Sequence, residues 1–209
     1  MAKIPNGILG NVIGKVGNVV GFVWKGINVI RGYAVPENPQ TEDQMIQRGL
    51  FGKMQAMASS ILITVLQKFW KAFAIGVSEY NAFISYNLKD LFTGSNYNDL
   101  LVTRGNIETT TAATGVRSVN SVNFTWEGAF SGNGLATDRV GIVLYDTAKK
   151  VSYIRDGIER RSEEASAAPI DIPSGAVTNE LRGYIWFYRT LENGTIQVSN
   201  SFFFQPSEA

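Results

Sequence analysis

GKVGNVVGFVWKGINVIRG, residues 14–32, is the stretch on which the reading of this chain turns. Gly7, Gly10, Gly14, Gly17 and Gly21 recur at intervals of three and four, which on a helix would make one bare stripe. Each interior glycine costs a helix about 1 kcal/mol relative to alanine, and the intervening valines favour extended structure. The segment therefore reads as strands: 18–24 and 27–33 pair as a hairpin across Lys25-Gly26, where glycine supplies a positive φ. Val20, Phe22, Trp24 and Ile30 are expected on one face, and Val19, Val23, Ile27 and Val29 on the other. Two strands cannot cover both of their own apolar faces, so something else must. Phe22, Trp24, Lys25, Ile30 and Arg31 are the candidate interaction residues.

Outward from the hairpin, Pro36 and Pro39 punctuate the exit, and Thr41 to Gln44 form a capping box with acidic residues in the first turn. Ile46, Leu50, Met54, Met57 and Ile61 mark a buried helical stripe, continued by Val65, Leu66, Phe69, Trp70 and Phe73. One helix over 42–76 would be about 52 Å long, so a break near Ser59-Ser60 is expected. Gly76 ends this run, and Ser78 caps a second helix whose buried side carries Tyr80, Phe83, Ile84, Asn87 and Leu88.

After residues 93–96 the apolar period changes from 3.6 to 2. Val122, Phe124 and Trp126 alternate with polar residues, as do Val140, Ile142 and Leu144, while 184–188 is apolar on both faces. With 100–104, 151–154, 166–172 and 196–204 this gives about seven strands. The expected architecture is α+β: a glycine-rich arm (1–40), a helical segment (41–92), and an antiparallel sandwich of immunoglobulin or fibronectin type (93–209), with Trp126 in its core.

Composition narrows the chemistry. The 209 residues include no cysteine and no histidine. Disulfides, thiolate chemistry and cysteine-ligated metals are excluded, as are histidine-based triads and histidine-zinc sites. The net charge is +1, yet residues 1–92 carry nine Lys/Arg against five Asp/Glu and residues 93–209 ten against thirteen. The basic half suits subunit orientation or weak binding of nucleic acid. No secretory signal opens the sequence. No 18-residue run is free of polar residues, since 61–77 contains Gln67, Lys68 and Lys71. The expectation is a soluble chain, cytoplasmic or part of a virion.

Known motifs fail on spacing. Gly14-Lys15-Val16-Gly17 has the glycine–lysine pair of a phosphate loop, but Val16 stands where Ser or Thr must bind magnesium. Lys3, Lys15, Lys25 and Arg31 with Trp24 form a small basic, aromatic set suited to nucleic acid or to a solvated strand face. Lys68 and Lys71 around Trp70 allow a helix on a membrane surface, although a buried helix with a narrow polar strip accounts for them more simply. Arg160, Arg161, Glu163 and Glu164 form a mixed charge cluster. Asp138, Asp146, Asp156 and Glu159 do not follow a calcium-loop pattern. No catalytic, cofactor-binding or metal-ligating residue is assigned, and no cofactor or small-molecule substrate is expected.

The segment from GILGNVIGKVG to NPQTEDQ, with SEYNAFISYNL and the closing VSNSFFF, resembles a Bacteroidota family of unknown function. Its members share a GKVGxVVGxxWKGxxVIR core before an N-P-x-T helix start. Here Phe22-Val23 stands where a polar or basic residue is expected before the tryptophan. The resemblance implies a layout of hairpin, helices and sandwich, and implies no catalytic residues. The resulting expectation is a non-enzymatic, self-assembling structural protein, such as a phage-like virion component or filament subunit. The alternative is a nucleic-acid-associated protein using the basic N-terminal half. A carbohydrate-binding module at the loop 131–134 ranks last, because that loop holds no aromatic residue.

Overall fold

In the computed structural model, the described residues are 12–35, 37, 38, 40–92, 94, 96–127, 132–159 and 166–209. Lys3, Gly7, Gly10, Pro36, Pro39, Ser131 and the cluster 160–164 lie outside them. The chain divides into two compact units, Met1–Thr41 and Glu42–Ala209. The fold is mixed α+β, with three β-sheets and one long helical run.

The first unit contains a three-stranded antiparallel sheet: β1 (Gly14–Val16), β2 (Val19–Trp24) and β3 (Ile27–Gly32). Lys25 and Gly26 both have positive φ, 49° and 81°, which defines the tight two-residue turn between β2 and β3. Gly17, at φ 55°, opens the turn between β1 and β2. The hairpin expected from the sequence is present, with β1 added to it.

In the second unit, α1 (Glu42–Ile61) passes into a π-helical turn at Leu62–Leu66, then α2 (Gln67–Phe69) and a 3₁₀ turn at Lys71–Phe73. The irregularity falls just after the serines where a break was expected. The extra residue of the π turn lets Val65, Leu66, Phe69 and Trp70 all face the core with Met54, Met57 and Ile61. Ile46, expected in the buried stripe, is exposed. The run Glu42–Phe69 is long and apolar enough to cross a membrane by length and composition, with a third of its most apolar window buried. In α3 (Glu79–Asp90), Ser78 accepts a hydrogen bond from the Asn81 amide at 3.3 Å, and the five residues expected on its inner side are buried or half-buried.

The strands that follow are β4 (Ala113–Arg117), β5 (Ser121–Trp126), β6 (Arg139–Asp146), β7 (Val151–Glu159), β8 (Ser166–Asp171), β9 (Leu181–Thr190), β10 (Ile196–Val198), β11 (Phe202–Phe204) and β12 (Ser207–Glu208). One sheet runs β10-β9-β6-β7, with β11 also pairing with β9; the other runs β12-β4-β5-β8. Among the described strands of these two sheets, all pairs are antiparallel except β12 with β4, so the expected purely antiparallel sheets are corrected there.

Two cores result. Between the sheets lie Val122, Phe124 and Trp126 of β5, Val140, Ile142 and Leu144 of β6, and Leu181, Ile185 and Phe187 of β9. On the other side of β6 and β9, Val143, Tyr145, Tyr184, Trp186 and Tyr188 pack with Met54, Met57, Ile61, Val65, Phe69, Trp70 and Phe83 of the helices. The helical segment and the strand-rich segment thus share one core, and residues 93–96 divide the sequence without dividing this packing. Gly141 is required on β6, because a Cβ there would overlap the indole of Trp186.

Residues 100–104, expected as a strand, are irregular although Leu100, Val102 and Thr103 are buried. Their backbone is satisfied largely by side chains. The Leu101 amide donates to Asn87 Oδ1 at 2.9 Å, and Asn87 Nδ2 donates to the Leu101 carbonyl at 3.2 Å. Trp70 Nε1 donates to the Val102 carbonyl at 2.8 Å, and the Val102 amide donates to Ser201 Oγ at 2.9 Å. A buried backbone needs partners but not a ladder. Asn87→Leu keeps the branched side-chain skeleton and leaves the Leu101 N–H and C=O without their side-chain partner. The expected loss is about 1–3 kcal/mol in urea denaturation followed by tryptophan fluorescence.

Candidate interaction surface and a tyrosine-lined cleft

The N-terminal sheet carries the five residues singled out from the sequence, and its register decides which of them act together. Directly paired residues share a face. Val20 pairs with Lys15 and Arg31, Phe22 with Val29, and Trp24 with Ile27. Ile30 pairs with Gly21, and Val23 with Asn28. The expected division of faces is therefore corrected: Ile30 lies with Val16, Val19 and Val23, while Ile27 and Val29 lie with Phe22 and Trp24. Strand parity carried across the two-residue turn produces this exchange.

On the Phe22–Trp24 face the cations meet aromatic rings. Lys15 Nζ lies 3.4 Å from the centre of the Tyr33 ring, and the Arg31 guanidinium 5.7 Å from that of Phe22. Lys25 Nζ lies 5.1 Å from the Trp24 ring centre. On the opposite face the Val12 backbone lies against Gly21, where any side chain would overlap the Val12 carbonyl. Large apolar side chains are exposed on both faces: Trp24 is 58% exposed and Ile27 62%, against 62% for Ile30 and 49% for Val23. Phe22, Trp24, Lys25 and Arg31 are thus brought together, and Ile30 is set apart.

In the second unit a cleft of about 410 Å³ opens between α1 and the ends of β6 and β9. Lys53, Lys150 and Arg182 contribute positive charge, and Glu180 accepts a hydrogen bond from Thr147 Oγ1. Tyr97 and Tyr145 form its floor, and Tyr184 Oη behind them donates to the Tyr97 carbonyl at 2.7 Å. Burial pushes the Tyr145 phenol up to about 12, with neighbouring Tyr97 and Asp146 adding to the effect. Burial likewise raises Tyr97 and holds Tyr184 well above the usual tyrosine value of 10.0. These phenols remain protonated hydrogen-bond donors throughout the neutral range. Sequence reading missed this cleft, because its residues come from four separated segments with no shared spacing. Asp138 and Asp156, noted as scattered carboxylates, are ion-paired to Arg189 at 2.9 Å and to Lys68 at 2.6 Å. Trp70 is buried against the helices and β-sheet, which accounts for the helix around it as a core element. Among the described residues, no group of three or more His, Cys, Asp or Glu is placed to hold a metal ion.

Residues 11–205 match the model described as "Family of unknown function (DUF6266)". The chain belongs to this family. Membership covers the N-terminal sheet, the helices and nearly all of the strand-rich region, so family and fold extend together. No curated protein is detectably similar to the chain. No solved structure matches it either.

The raised phenols bind their protons more tightly in the folded state than in the unfolded one. Their contribution to stability is complete below pH 10 and is lost as pH rises through the folded values, at about 12 for Tyr145. Absorbance at 295 nm should show fewer tyrosinates at pH 10.5 in native protein than in urea. Unfolding should accompany the remaining ionisation.

Proposed function

We propose that this family member is a non-enzymatic structural subunit that assembles with copies of itself through the N-terminal sheet. The observation that carries the reading is a three-stranded sheet with large exposed apolar side chains on both faces. Three short strands bury little by themselves, and paired apolar faces of this kind are stabilised by contact with another surface. A symmetric contact between copies requires only one self-complementary patch. Assembly into a phage-like virion component or a filament is the further form of this reading. The Bacteroidota origin, the GKVGxVVGxxWKGxxVIR segment as a family signature, and an immunoglobulin-like description of the two open sheets belong to the same proposal. Its setting is the cytoplasm or the virion.

The second reading, association with nucleic acid, is favoured by one observation. Lys15 and Arg31 share a face with Phe22 and Trp24, the combination of cations and rings used to hold single strands.

Size-exclusion chromatography with light scattering separates these readings. Full-length protein should run above its monomer mass of 22.9 kDa. Trp24→Asp and Ile30→Asp, one on each face, should shift it toward the monomer without loss of the helical circular-dichroism signal. A monomeric full-length chain would overturn the assembly reading. Retention of single-stranded oligonucleotide at low salt, lost steeply as salt rises and lost in Arg31→Gln, would support the second instead.

A further inference from the structure

Arg104 stands on the irregular segment between α3 and β4, and its guanidinium lies against two aromatic rings. Its central carbon is 4.4 Å from the ring centre of Tyr86 and 4.9 Å from that of Phe73. Among the described residues it makes no ion pair and no hydrogen bond to protein, unlike Arg189, which is paired with Asp138. A guanidinium over an aromatic face keeps its N–H groups in its own plane and available to an acceptor.

Two clefts, of about 470 and 480 Å³, meet at this side chain and share Arg104, Phe73 and Tyr86 as lining. The first is walled by Trp70, Val77 and Ala82 and carries Lys89. The second includes Asn200, whose side-chain oxygen accepts from the Gly105 amide at 3.0 Å, leaving its NH₂ as a further donor. Among the described residues, neither cleft is lined by an aspartate or glutamate. The walls are fixed in place. Trp70 Nε1 is held by the Val102 carbonyl, and the indole packs edge-on to Phe73 and Phe83 at 5.7 and 5.4 Å.

We propose that Arg104 is the anchor of a binding site for a small organic anion: a carboxylate or phosphate carried on an apolar or aromatic group. Two guanidinium N–H groups would receive the oxyanion in parallel, the arrangement that makes arginine selective for such groups. Lys89 and the Asn200 amide supply further positive potential and a donor. The apolar part of the ligand would lie against Trp70, Phe73 and Tyr86. The cleft volumes are those of small-molecule sites, and prefixed walls reduce the ordering cost of binding. Arg104 and Lys89, with no carboxylate among the described lining residues, are complementary to an anion.

The test is isothermal titration calorimetry on full-length protein with phenyl phosphate and phenylacetate. Inorganic phosphate and benzyl alcohol serve as controls at matched ionic strength. The expected result is saturable one-to-one binding of at least one phenyl anion, tighter than either control. Comparing the two anions distinguishes phosphate from carboxylate as the recognised group. Arg104→Lys, which keeps the charge and loses the planar fork, should weaken binding about tenfold. Arg104→Gln should abolish it. If Arg104→Gln fails to fold, Arg104→Lys carries the test together with amide shifts confined to Phe73, Tyr86, Gly105 and Asn200. Absence of saturable binding by both phenyl anions overturns the proposal, as does binding that Arg104→Lys leaves unchanged. Arg104-dependent binding of an acidic peptide or oligonucleotide, with neither phenyl anion bound, would also overturn it.

Discussion

The pairing of β6 with β9 is the constraint on which the second unit depends. Eight consecutive residue pairs join them, and both strands are buried on both faces. Alternation along a strand then has two consequences at once. Val140, Ile142 and Leu144 require a second sheet on one side. Val143, Tyr145, Tyr184, Trp186 and Tyr188 require a layer of helices on the other. Removing either layer would return large apolar and aromatic side chains to water, at about 1.5–3 kcal/mol for each fully buried one. The size of these side chains also forces small residues beside them. Trp186 occupies the space above Gly141, and the Phe204 ring occupies that above Gly183.

The tyrosine-lined cleft and the two clefts at Arg104 border a stretch where regular pairing stops. Residues 97–107 cross between the helices and the sheets as irregular backbone, tied down by Asn87, Trp70, Asn200 and Ser201. This segment presents Tyr97 to one cleft and Arg104 to two others. An irregular chain held by side chains points its residues in directions that a ladder would forbid. A segment of this kind needs its buried backbone groups satisfied, and here side chains do so.

The N-terminal sheet poses the opposite problem. Its backbone is regular, and its side chains exceed what three strands can bury. Two-residue turns at Lys25-Gly26 and at Gly17-Asn18 fix the register, and the register sorts the side chains. Lys15 and Arg31 join Phe22 and Trp24 on one face, whereas Ile30 joins Val19 and Val23 on the other. The candidate residues Phe22, Trp24 and Ile30, expected on one face, are thus divided between two surfaces of different character.

The sequence by itself determined the local elements: the hairpin at Lys25-Gly26, the start of α1, the Ser78 cap, the inner side of α3, and most strands after residue 120. Each depends on spacing within a few residues, through helix period, strand alternation or turn chemistry. The absence of cysteine and histidine was equally plain and removed whole classes of chemistry. Tertiary structure alone decided the rest. β4 was missed because Ala113–Arg117 is short and carries glycine at its centre, and 100–104 passed for a strand because burial alone made it apolar. The π turn, the faces of the N-terminal sheet, and the meeting of Arg104 with Phe73 and Tyr86 all depend on distant partners. Val102 is bonded to Ser201, 99 positions away, and no local period records such a contact.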